Sequence, residues 1–162
     1  MAENLTFSKT DDRSVIYREL IPQIESLIAD ETDLVANQAN LVAALRQAFG
    51  FFWVGFYWVK ENELVLGPFQ GPIACTRIAF QRGVCGHAYT TRQSVLVPDV
   101  DQFPGHIACS SASRSEVVIP VYNRNRTQVV GVLDVDSDHL NDFSEVDVQG
   151  LETIVKILEK KL

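Results

Sequence analysis

The 162-residue chain is 46% apolar and 22% charged, the composition of a soluble globular protein long enough to build one domain around its own core. Fourteen Lys and Arg against 21 Asp and Glu leave a net charge of −7, which argues against nucleic acid or an anionic membrane as the main partner, since both need clustered basic residues. No apolar run approaches the ~20 residues that span a bilayer, and the polar, acidic start MAENLTFSKTDDR is the opposite of a signal peptide. A cytoplasmic location, where thiols are kept reduced, is therefore expected.

Residues 1–12 read as a loose start. From 14 to 30, Ile16, Leu20, Ile24, Leu27 and Ile28 recur at helical spacing, with a kink or restart expected at Pro22. A second helix runs from Thr32, with Leu34, Gln38, Leu41, Leu45 and Ala48 on one face and Gly50 as its stop. FFWVGFYWVK (51–60) is a strand by its aromatic and β-branched content. Its alternation groups Trp53, Gly55 and Tyr57 on one face, and Phe52, Val54, Phe56 and Trp58 on the other. Glu61-Asn62 turns the chain into ELVLGPF as a hairpin. IACTRIAF (73–80) reads as another strand, 84–92 as a short helix opened by Gly83, and SVLVPDV as a strand ended by Pro98 and Asp99. Residues 101–114 form a long polar connection, of the kind that carries function in a compact domain. Residues 116–122 and 128–136 are strands joined by NRNRT, whose basic run Arg124-Asn125-Arg126 reads as a solvated turn. A last helix starts near Ser144, a good N-cap, and buries Val148, Leu151, Val155, Leu158 and Leu162. Five or six mostly antiparallel strands with helices at both chain ends make an α+β domain. The terminal helices cover one sheet face; the short helix and the long connection cover the other and leave room for a pocket.

The side chains assigned to that pocket face carry the chemistry. In GVLDVDS, Leu133 and Val135 face the helices, so Asp134 and Asp136 share the opposite face. The same argument turns Glu116 away from Val117 and Ile119, and pairs Trp53 with Tyr57. Three acids and two aromatics then converge beneath the connection bearing Cys109; the competing reading is a solvent-exposed face, where acids are unremarkable. An acidic pocket with an aromatic wall suits an ammonium beside a methyl or thioether, and suits a phosphate poorly. Crowded carboxylates raise one another's pKa, so one of them can stay protonated and donate a proton.

The three cysteines, Cys75, Cys85 and Cys109, form no CxxC, and their odd number argues against a structural disulfide framework. Cys85 and His87, with His106 and Cys109, offer zinc-type ligands, but one residue between Cys85 and His87 is shorter than usual zinc spacing. His139 reads as a surface residue. A redox reading needs a nucleophilic thiolate and a second thiol able to resolve a sulfenic acid to a disulfide. Cys109, in the connection beside the acids, suits the first role; Cys75 and Cys85 both suit the second.

In order and spacing, GPFQGPIAC, RGVCGHA, DVDQFPGHIACSSASRSE and GVLDVDS resemble the free methionine-R-sulfoxide reductases, single-domain enzymes of the GAF fold. The resemblance covers roughly residues 53–158. It implies one GAF domain over 1–162, with N-terminal helices at about 13–49, sheet and catalytic loops at about 51–136 and a C-terminal helix at about 144–161. The implied reaction is reduction of free, not protein-bound, methionine-(R)-sulfoxide to methionine through a Cys sulfenic acid and an intramolecular disulfide. Thioredoxin would recycle the enzyme, as part of repair under oxidative stress. Cys109 matches the catalytic cysteine of that family, Cys75 its resolving cysteine, and Cys85 its third cysteine, able to join an alternative disulfide. Glu116, Asp134 and Asp136 match the substrate-binding acids, and Trp53 and Tyr57 the wall around the S-methyl group. The resemblance calls for no metal or organic cofactor, and family members point to a homodimer. The rival reading is a GAF-type sensor that binds a small molecule without turnover.

Overall fold

The computed structural model describes residues 4–106 and 109–162. The first three residues of the expected loose start and residues 107–108 of the long connection lie outside them. Helices α1 (Arg13–Leu27) and α2 (Leu34–Phe49) lead into the hairpin of β1 (Trp53–Lys60) and β2 (Glu63–Gln70). After them come β3 (Arg77–Ala79), α3 (Gly83–Thr91), β4 (Val95–Val97), a single 3₁₀ turn (Val100–Gln102), β5 (Ser115–Tyr122), β6 (Val129–Ser137) and α4 (Glu145–Glu159). The strands form one antiparallel sheet in the order β3-β2-β1-β6-β5-β4. No helix among the described residues is long and apolar enough to cross a membrane.

Strand alternation divides the apolar residues between two layers. Val54 and Phe56 of β1, Val117 and Ile119 of β5 and Leu133 and Val135 of β6 face α1, α2 and α4, where Leu20, Ile24, Leu41, Leu45, Leu151 and Ile154 are fully buried. Burial of each such side chain stabilises the fold by about 1.5–3 kcal/mol. The opposite sheet face packs Tyr57, Leu64, Val118 and Val132 against Val84, Cys85 and Ala88 of α3 and Val100 of the 3₁₀ turn. Gly86 allows α3 this close approach, because a Cβ there would lie 2.7 Å from the carbonyl oxygen of Phe80 and 2.9 Å from that of Ala79. Cys85 thereby faces the sheet. At the end of α2, Gly50 takes the left-handed conformation (φ +66°) that residues with a Cβ adopt at a cost.

Three expectations are corrected. Helix α1 runs through Pro22 without a restart; Pro22 and Arg18 are both exposed, so the carbonyl that loses its helical donor reaches water while Leu20 and Ile24 hold the helix down. The strand expected over 73–80 shrinks to Arg77–Ala79, because side chains of β1 engage the backbone of residues 72–75 in place of a neighbouring strand. The described part of the start is not loose. Thr6 exchanges two hydrogen bonds with the Gln23 side chain (2.9 and 2.6 Å), and Ser8 donates twice to Glu19 (2.7 and 2.8 Å).

Helix α4 opens with a capping box in which Ser144 accepts from the backbone and its own N–H donates to Asp147 at 2.9 Å. Asp147 is buried and also accepts from Tyr17 Oη at 3.0 Å and pairs with Arg13 at 3.1 Å, tying both chain ends together. Ser144→Ala is expected to cost about 1 kcal/mol, lowering Tm by about 2–4 °C in a thermal melt.

Candidate active site

Strand register builds the floor of the site. Across β1, β6 and β5, Trp53, Asp136 and Glu116 stand side by side in one row. Two residues along lies a second row of Gly55, Asp134 and Val118. The absence of a side chain at Gly55 leaves room over Asp134, and the Trp53 ring fills it, stacked at 5.4 Å on Phe69 and 6.0 Å from Tyr57. Glu116 and Asp134 are only 6% and 7% exposed, so the face is not the solvated one that acids usually occupy.

The roof comes from two loops joined by a disulfide between Cys75 and Cys109, whose Cα atoms are 5.3 Å apart. Trp53 Nε1 donates to the Pro72 carbonyl at 3.1 Å and Tyr57 Oη to the Cys75 carbonyl at 2.9 Å, so the aromatic wall also holds the Cys75 loop in place. Below the disulfide is a pocket lined from both the sheet and the loops above it. Trp53, Tyr57, Cys85, Cys109, Glu116, Asp134 and Asp136 all line it. The sulfur of Cys85 and carboxylate oxygens of Glu116 and Asp134 lie within 4.8 Å of one another. Ser113 donates from its hydroxyl to Asp136 Oδ1, whereas buried Asp134 Oδ1 has no hydrogen-bond partner among the described residues.

The GAF domain family matches residues 31–159. The free methionine-R-sulfoxide reductase of Escherichia coli is 44% identical over 93% of this chain and 91% of its own, and that of Saccharomyces cerevisiae 35% identical over 98% and 92%. The free methionine-R-sulfoxide reductase of Neisseria meningitidis, solved in complex with its substrate, is 56% identical and superposes with a TM-score of 0.94 over 99% of this chain and 95% of its own. The chain belongs to the GAF-fold free methionine-R-sulfoxide reductases. Both the fold and the family named by the sequence motifs are thereby shown.

Within this reductase fold the acids are crowded and dry. Burial, and then the charges of Asp134 and Asp136, push the Glu116 carboxyl well above the usual range. Burial and Asp136 do the same to Asp134. Asp136 is pushed up by burial to about 6, with the Ser113 hydrogen bond opposing the rise. The Cys85 thiol and the Tyr57 hydroxyl are likewise pushed up, mainly by burial and then by the acids around them. The floor therefore holds protons to higher pH than isolated carboxyls do, and a bound cation would favour their release.

All eight residues singled out in the sequence reach this pocket, Cys75 through its disulfide to Cys109. The hypothetical zinc quartet does not form: the Cys109 sulfur is bonded to Cys75, and His87 is exposed, edge-on to Phe103 at 5.6 Å. His139 is exposed beside Asp138, as expected of a surface residue. Phe52 was grouped with Val54 but lines the pocket; it precedes the first residue of β1, where strand alternation does not apply. Ser113 and His106 went unassigned as pocket residues. Their positions in the connection that carries Cys109 were the available signal, but no periodicity orients a loop side chain.

The acid floor sets a pH dependence of stability. Asp136 titrates at about 6 in the fold against an ordinary value of 3.8, so the folded state holds its proton longer than the unfolded state. Stability is then highest below about pH 4 for this group and falls as pH rises to 6, by up to about 3 kcal/mol. Glu116 and Asp134, raised in the same direction, extend the fall to higher pH. Urea denaturation of the ligand-free protein is expected to show a lower midpoint at pH 8 than at pH 5, with Asp136→Asn flattening the slope between pH 4 and 6.

Proposed function

We propose that this chain reduces free methionine-(R)-sulfoxide to methionine by a dithiol mechanism. The observation that carries the reading is the Cys75–Cys109 disulfide standing directly over a buried three-acid pocket walled by Trp53 and Tyr57. The family membership and the substrate complex of the Neisseria meningitidis relative support the choice of substrate. In this reading Glu116, Asp134 and Asp136 receive the substrate ammonium and the sulfoxide oxygen, and the methyl group lies against Trp53 and Tyr57.

The Cys109 thiolate attacks the sulfoxide sulfur while one of the protonated acids gives its proton to the oxygen. The new sulfur–sulfur bond and the sulfur–oxygen bond then both break as the oxygen passes to Cys109 as sulfenic acid, and methionine leaves with two more electrons than it arrived with. The Cys75 thiol then attacks the Cys109 sulfur, and the oxygen departs as water with formation of the disulfide. A dithiol reductant, thioredoxin by the family resemblance, returns two electrons and two protons. Cys85 is buried on α3 and lines the same pocket as Cys109, with its thiol close to Glu116 and Asp134.

NADPH consumption coupled through thioredoxin reductase and thioredoxin tests the reading. Free R-sulfoxide is expected to turn over, with no turnover of the S epimer or of a peptide-bound sulfoxide. Cys109→Ser abolishes activity, and Glu116→Gln lowers kcat by about 10²–10⁴-fold. Cys75→Ser gives one methionine per chain and a sulfenic acid that dimedone traps. Folded protein that turns over none of these substrates would identify a binding domain instead.

A further inference from the structure

We propose that Cys85, Glu116 and Asp134 form a binding site for a thiophilic divalent cation, best fitted by zinc. Three buried donors, one sulfur and two carboxylate oxygens, converge within 4.8 Å from three separate elements, α3, β5 and β6. Tetrahedral zinc with ordinary Zn–S and Zn–O bonds separates its ligand atoms by about 3.5 Å, so small side-chain rotations close the set. A second observation points into the same space. Asp134 Oδ1, on a residue only 7% exposed that lines the pocket, has no hydrogen-bond partner among the described residues. An ammonium bonds to the carboxylates but makes poor use of a thiol; a thiolate beside carboxylates is a zinc-type donor set, which magnesium and calcium, as oxygen-seeking ions, bind poorly.

This set differs from the Cys85, His87, His106 and Cys109 grouping considered from spacing, and it needs neither redox-active cysteine. On binding, the metal replaces the Cys85 thiol proton and any carboxyl protons, which pass to solvent. The metal site stands on geometry alone. Its consequence for turnover rests on the reading above: a cation on Glu116 and Asp134 occupies the seats of the substrate, so zinc inhibits in competition with it.

The test uses the full chain with the Cys75–Cys109 disulfide formed, because Cys85 is then the only free thiol of the three cysteines. Titration with cobalt(II) is expected to give a thiolate-to-cobalt absorption band in the near ultraviolet, saturating at one ion per chain and bleached by zinc. Cys85→Ser removes the band, and Asp134→Asn weakens cobalt binding at least about tenfold, or 1.4 kcal/mol. Circular dichroism checks that each variant is folded; if Cys85→Ser is not, Asp134→Asn decides. No band in the wild type, a band that survives Cys85→Ser, or an unchanged affinity in Asp134→Asn overturns the site. In the coupled assay zinc is expected to raise the KM for sulfoxide with kcat unchanged, measured with dithiothreitol absent from the metal-containing steps. Zinc that binds but leaves KM unchanged overturns the competition. Absence of turnover altogether would count against the proposed reaction and leave the cobalt result intact.

Discussion

The dehydration of carboxylates on a covered sheet face is the constraint from which the other features of this site follow. Strand β6 is buried on both sides: Leu133 and Val135 pack beneath the terminal helices, while Asp134 and Asp136 are enclosed under α3 and the long connection. An isolated carboxylate in such a place would cost several kcal/mol, and the fold answers by making all three acids hold their protons to higher pH than they would in water. The same enclosure that depresses stability at high pH holds a proton ready over the pocket. A residue set that is unfavourable for folding alone is what a reacting sulfoxide, or a cation, would find complementary.

The aromatic residues serve both layers of the site. Trp53 and Tyr57 rise from the same strand as Val54 and Phe56, which anchor the helical core, so the wall of the pocket is rigid because its backbone is. Their polar tips reach the backbone of the Cys75 loop, which links the sheet to the disulfide. The Cys109 side of the roof is held by the disulfide, by the Ser113 contact to Asp136, and by backbone hydrogen bonds from Gly83 to Gly105 and from Arg114 to Ser137.

The third cysteine gains its chemical character from its surroundings. On α3, pressed to the sheet by the small Gly86, Cys85 has the burial of a core residue and the neighbours of a site residue. A thiol kept protonated by burial and by two nearby acids is a poor nucleophile and a good metal ligand once its proton is displaced. Its two possible roles are therefore separable by whether electrons move.

What the sequence determined by itself was local and periodic. Apolar spacing places the helices and the Ser144 cap, and alternation along β1, β5 and β6 assigns Trp53, Tyr57, Glu116, Asp134 and Asp136 to one face before any pairing is known. Tertiary structure decided the rest. Register between strands that are far apart in the chain put Trp53, Asp136 and Glu116 in one row, and loop closure chose Cys75 over Cys85 as the partner of Cys109. Phe52, Ser113 and His106 were invisible as pocket residues for the same reason: they lie outside regular elements, where side-chain direction depends on long-range packing. Whether the acids were solvated or enclosed was likewise undecidable from a strand pattern. Burial is a property of what covers a face, and the cover comes from elsewhere in the chain.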